Sequence, residues 1–94
     1  EFVVALPTTV PSAAYEIAER LRQAICLTTL SFHDRQFKVS ISIGMANLKS
    51  LSVTQPYDTE LICTTLLDRA DKALYNAKAG GRNQVSFYTN SANQ

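Results

Sequence analysis

Residues 36 to 45 alternate, with Phe37, Val39, Ile41 and Ile43 on one side of the chain and Lys38, Ser40 and Ser42 on the other. A period of two commits the stretch to a β-strand that buries one face only, so another part of the chain must supply the cover. Two helical stripes are available for it. Ala14, Ile17, Ala18, Leu21 and Ile25 recur at helical spacing, with Glu16, Glu19, Arg20, Arg22 and Gln23 opposite. Leu66, Leu67, Ala70, Ala73, Leu74 and Ala77 form the second stripe. Asp58 can cap that helix, Glu60 favours its first turn, and Gly80-Gly81 stops it. Gly44, near the end of the alternating strand, stands where the cover comes close.

The remaining segments complete the order strand, helix, strand, strand, helix, strand. Glu1 to Leu6 is a β-type run ended by Pro7, and Thr8 to Ser12 reads as a turn. Thr28 to Phe32 is extended and is joined to the alternating strand by His33-Asp34-Arg35, a suitable length for a hairpin loop. Asn47 to Tyr57, with Pro56, lacks periodicity and reads as a loop, Val85 to Tyr88 as a short last strand, and Thr89 to Gln94 as a polar tail. This order gives an α+β sandwich, helices packed on an antiparallel or mixed sheet. Ninety-four residues suit one such domain. The first strand opens without a partner or an initiator Met, which reads as a fragment of a longer protein.

A net charge of +1 gives no global field that argues for a nucleic-acid or membrane-surface partner, so a charged ligand must be held locally. No apolar run approaches the roughly 18 residues that span a bilayer, and a soluble, cytoplasmic chain is expected. Cys26 and Cys63 sit in apolar helical patterns without metal-ligand spacing and read as buried thiols. His33 reads as a surface turn residue, and Tyr15 and Tyr75 as packing residues.

The chemistry gathers at the end of the second helix. At about 100° per residue, Leu74 and Lys78 both fall within about 20° of Leu67, which puts Lys78 on the apolar stripe. A cation there either neutralises the helix C-terminus or is aimed at an anion. Gly80-Gly81 permits a tight reversal that brings Arg82 back to the same helix end. Two such cations, Lys as a point charge and Arg as a bidentate fork, could clamp a polyphosphate. Asp71, beside the stripe, reads as an ion-paired structural edge, and Arg20 as part of a solvated face near Glu16 and Glu19.

The run from Leu67 to Val85, with its Ala70-Asp71-Lys72-Ala73-Leu74-Tyr75-Asn76-Ala77-Lys78 and Gly81-Arg82-Asn83, resembles the signature near the end of GGDEF domains. Val39 to Ala46 resembles the family's core strand with its terminal glycine. Ala18-Glu19-Arg20-Leu21-Arg22 resembles the helix after the name-giving hairpin, and Glu1-Phe2 match the last two letters of GGDEF. The resemblance covers residues 1–88, as the C-terminal part of such a domain, with 89–94 as the tail. It lacks the two glycines and the third, acidic letter of the motif, and also the preceding strand, the guanine-contacting helices and the RxxD motif.

The fold implied is an incomplete nucleotidyl-cyclase sheet, palm-like with a ferredoxin-like core, carrying packed helices. The implied activity is that of a diguanylate cyclase, a nucleotidyltransferase that condenses two GTP into the bacterial second messenger cyclic di-GMP with Mg²⁺, the fragment itself being inactive. A degenerate module that binds GTP, cyclic di-GMP or a protein without catalysis is the alternative. The resemblance assigns Lys78 and Arg82 to the triphosphate of GTP, Glu1 to the catalytic and metal position, and Arg20 to an inhibitory site for the product. An unpaired apolar edge at Phe2 to Leu6 leads to the expectation of a homodimer or higher oligomer.

Overall fold

The structure, a computed structural model, describes residues 1–51 and 58–89. Its elements are α1 (Pro11–Leu27), β1 (Thr29–Phe32), β2 (Arg35–Lys38), β3 (Ile43–Met45), a 3-10 turn (Leu48–Ser50), α2 (Thr59–Ala79) and β4 (Val85–Phe87). The expected α+β class is found, but the strands form two small sheets rather than one. β1 and β2 make an antiparallel hairpin, whereas β3 and β4 run parallel, Ile43 opposite Val85 and Met45 opposite Phe87.

The alternating stretch read as one strand is therefore broken. Its first part follows β1 and its last part follows β4, while residues 39–42 cross between the two partners without a ladder of their own. The hairpin loop is also shorter than expected, because Arg35 pairs with Phe32. His33 and Asp34 alone make the turn with φ of 50° and 63°. Two positive φ values match the twist of the flanking strands, and His and Asp are among the residues that tolerate them best.

Residues 1–6 form no strand. A β-type run becomes one only when its backbone groups find a neighbour, and none of the described residues pairs with them, leaving Phe2 99% exposed. Helix α1 begins inside the expected turn, at Pro11, whose fixed φ and missing N–H suit a first helical position. The loop expected up to Tyr57 lies outside the described residues from 52 onward, as does the tail beyond 89.

Helix α2 starts as its sequence implies, with the Asp58 carboxylate accepting from the Leu61 N–H at 3.0 Å. Its covered stripe runs through Ile62, Leu66, Ala70, Ala73 and Ala77. Ala73 and Ala77 are fully buried, and with Ala14 and Ala18 of α1 they are the buried apolar residues among those described. The small side chains mark the lines of closest approach, where β3 lies against α2. A Cβ placed on Gly44 would collide with the backbone N and Cα of Leu74 and with the carbonyl of Ala70. At the far end, the Arg69 guanidinium stacks 5.0 Å from the centre of the Tyr88 ring.

Three packing expectations fail for one reason. The stripe is centred on Ala73 and Ala77, so Leu67, Cys63 and Tyr75 all turn outward, Tyr75 being 73% exposed. Cys26 is half-buried, Tyr15 is exposed, and both cysteines are free thiols. Asp71 is exposed without an ion pair among the described residues. Asp68 takes that place instead, 3.2 Å from Lys72 one turn on.

Candidate functional site

The C-terminus of α2 is closed by two backbone bonds of the Schellman type. The Arg82 N–H donates to the Ala77 carbonyl at 3.0 Å and the Gly81 N–H to the Lys78 carbonyl at 3.3 Å. Gly81 takes a φ of 121°, which a side chain would resist, so the glycine is needed here. The closure reverses the chain within three residues. It leaves Lys78 in the last turn and Arg82 just beyond it, both exposed, as the sequence had suggested for the reversal.

Lys78 does not lie on the buried stripe. Its side chain is 41% exposed, beside Ala77 rather than in line with it. The ammonium stands 3.8 Å from the Glu1 carboxylate, so two residues named from the sequence, 77 positions apart, meet at the helix end. Both are open to water, and at that distance the pair is a loose one. The Arg82 guanidinium makes no ion pair or side-chain hydrogen bond among the described residues, and the residue is exposed in the left-handed region with a φ of 63°. Two cations thus stand at a helix end where the Asn76, Ala77 and Lys78 carbonyls already have backbone partners.

The next residue fastens this corner to the rest of the domain. The Asn83 N–H donates to Ser42 Oγ at 3.1 Å, and its amide donates to Cys26 Sγ at 3.6 Å. Its side-chain oxygen accepts from Arg22 of α1 at 2.9 Å. Ile43 N–H donates to the Gln84 carbonyl at 3.0 Å and starts the parallel ladder directly after the loop. Arg22 is itself gripped by Glu19, with bonds of 2.7 and 2.8 Å from its two nitrogens to the two carboxylate oxygens. The Arg22 hydrogen bond holds the Glu19 carboxyl below its usual range against an opposing push from burial, with help from Gln23 and from the charge of Arg22. The same bond raises the Arg22 guanidinium.

The helical spacing sets Arg20 near Glu16 and Glu19, whereas the structure pairs Glu19 with Arg22. Glu19 and Arg22 are a visible three-residue spacing, but the contact with Asn83 spans 61 positions and depends on the fold. Arg20 stands exposed on α1 without an ion pair among the described residues. Among those residues no three His, Cys, Asp or Glu side chains gather as a metal site, and Glu1 faces Lys78. A magnesium ion asks for several oxygen ligands, so these side chains do not fit one by themselves. No helix of the described residues is long and apolar enough to cross a membrane.

Comparison with known proteins gives a coherent picture. The family model described as diguanylate cyclase, GGDEF domain, matches residues 1–84. Diguanylate cyclase A of Treponema denticola is 36% identical over 90 residues, covering 96% of this chain and 22% of that protein. Response regulator PleD of Caulobacter vibrioides is 38% identical over 87 residues, 90% of this chain and 17% of that protein. Diguanylate cyclase DgcP of Pseudomonas aeruginosa is 32% identical over 85 residues, 90% of this chain and 11% of that protein. The chain therefore spans less than a quarter of the length of these relatives.

Proposed function

The chain belongs to the GGDEF family of diguanylate cyclase domains, and from that premise we propose that Lys78 and Arg82 hold the triphosphate of GTP in a domain that, within the whole protein, condenses two GTP into cyclic di-GMP. The observation that carries this reading is the helix end itself. Two exposed cations flank a Schellman closure that satisfies the Ala77 and Lys78 carbonyls through backbone N–H groups. The ion pair of Lys78 with Glu1 is loose and open to water, so an anionic ligand can compete for both cations. In the condensation, the 3′ hydroxyl of each GTP gives up its proton to solvent as its oxygen bonds to the α-phosphorus of the other, and the bond from that phosphorus to the β-phosphate bridge breaks to release pyrophosphate. Lys78, a point charge, and Arg82, a planar fork, neutralise the negative charge of the phosphates as it shifts toward the leaving group.

The finer assignments follow the same family logic. Glu1 contributes one carboxylate near the reacting phosphates, and further acidic groups outside these residues are needed for Mg²⁺. Arg20, exposed on α1, serves a separate inhibitory site for the product. β3 and β4 belong to the palm-like sheet with its ferredoxin-like core. By themselves the 94 residues make no cyclic di-GMP, because one carboxylate and two cations cannot activate a hydroxyl. Turnover of GTP by this polypeptide alone would overturn that.

Calorimetric titration of GTP into the whole protein, with Lys78→Ala and Arg82→Ala beside it, tests the phosphate assignment. Each variant is expected to lose affinity while its unfolding temperature holds. Full affinity in both would reduce the two cations to helix-cap residues. GTP binding without product in the unaltered protein would make the domain a binding module rather than a cyclase.

A further inference from the structure

We infer that Arg22 is a positioning residue for the phosphate clamp, setting where Arg82 stands through its grip on Asn83; this rests on the proposed role of Lys78 and Arg82. The loop from Gly80 to Asn83 is tied at its start by the Schellman bonds to Ala77 and Lys78, and the Gln84 amide donates to the Arg82 carbonyl at 3.2 Å. Gly80 and Gly81 are the most permissive residues the backbone can use, and Gly81, Arg82 and Asn83 all take positive φ, a run of conformations that local preference does not hold in place. Those bonds stop at Arg82, and Asn83 is held from outside the loop, by Ser42 and by a side chain of α1.

Arg22 reaches Asn83 twice, with one nitrogen 2.9 Å from Oδ1 and 3.4 Å from the backbone carbonyl. Its other two guanidinium nitrogens are engaged by the Glu19 carboxylate, so the fork is held flat on both sides and cannot swing. The Arg22 side chain is only 16% exposed, which separates it from a solvated surface arginine. Ser42 Oγ, which accepts from the Asn83 N–H, completes the attachment from the β3 side. Asn83 follows Arg82 directly in the chain, so a displacement of the Asn83 Cα is passed through one planar peptide to the Arg82 Cα. A clamp that works by charge at a fixed place loses its advantage when one jaw drifts by an ångström.

Arginine is required for this geometry. A lysine at position 22 keeps the charge and most of the stem, but its single ammonium cannot present three nitrogens in one plane to Glu19 and Asn83 together.

The test is a double-mutant cycle in the whole protein, read as the affinity for GTP by calorimetry with unfolding temperature as the control. Arg22→Ala and Arg22→Lys are each expected to weaken GTP binding about tenfold, the scale of one charge-assisted contact. In the Arg82→Ala background the same changes should cost less than threefold, because the jaw they position is gone. A folded Arg22→Lys protein that binds GTP as the unaltered protein does would overturn the inference, and so would losses at 22 and 82 that simply multiply. If Arg22→Ala fails to fold, the lysine variant still decides between these results. If Arg82→Ala itself leaves GTP affinity untouched, the clamp falls and the positioning role falls with it. Loss at 82 with none at 22 would spare the clamp and remove Arg22 alone.

Discussion

Gly44→Ala places a single methyl group where β3 meets α2, and its effect can be worked out from distances. The new Cβ would lie 2.6 Å from the Leu74 Cα and closer still to the Leu74 nitrogen and the Ala70 carbonyl, whereas ordinary contact begins near 3.4 Å. All three atoms are backbone, so no side chain can rotate out of the way. Strand and helix must part by at least the 0.8 Å between those values, and by more to clear the two closer atoms. A gap of that size forfeits roughly a quarter to a half of the dispersion energy along the seam. It also opens the packing over Ala73 and Ala77, which are fully buried. Overpacking of this kind costs about 3 kcal/mol. Without a clash, replacing glycine by alanine would instead stabilise by about 0.4 to 1 kcal/mol, because the unfolded chain loses freedom. The sign of the change is therefore informative as well as its size. Urea and thermal unfolding of the domain, followed by circular dichroism, should show a fall in Tm of roughly 10 to 25 °C. A variant as stable as the parent, or more so, would refute the close approach of β3 to α2.

Two further outcomes can be checked simply. The Arg22 hydrogen bond holds the Glu19 carboxyl below the usual carboxylate range, so the stability from the Glu19–Arg22 pair is present in full above the unfolded value and is lost as the pH falls through the lowered folded value. Glu19→Gln should make the acid limb of the stability curve shallower, and an unchanged limb in an unfolding titration would speak against the pairing. The exposed run Phe2, Val3 and Val4 has no charge to discourage pairing with another chain, and the 94-residue polypeptide is expected to sediment as a dimer or larger. A clean 10.4 kDa monomer with a cooperative thermal transition would contradict this.

Local chemistry was legible in the residues. Asp58 as a cap, Gly80-Gly81 as the stop of α2 and Gly44 as a point of close approach all act within a few positions, and the structure has each of them. What failed depends on partners that are distant in the chain. Alternation marked residues 36 to 45 as extended but could not tell that β2 pairs with β1 and β3 with β4. The helical wheel, anchored on Leu67, turned the buried stripe by most of a residue. Size alone does not reveal that alanines line the seam while a leucine faces outward. Residues 1–6 have the composition of a strand, yet pairing decides whether one forms. The tie from Arg22 to Asn83 was invisible for the same reason, although both ends lie in recognisable motifs.

The most direct measurement of the phosphate-holding role is steady-state formation of cyclic di-GMP from GTP by the whole protein, with Lys78 and Arg82 replaced by alanine singly and together. Each lost charged contact is worth about 1.5 to 3 kcal/mol, so each single variant should lose roughly 10- to 100-fold in kcat/KM while keeping its unfolding temperature. The double variant should fall further. Unchanged kinetics in the folded double variant would contradict the assignment and leave the two cations as the ending of a helix.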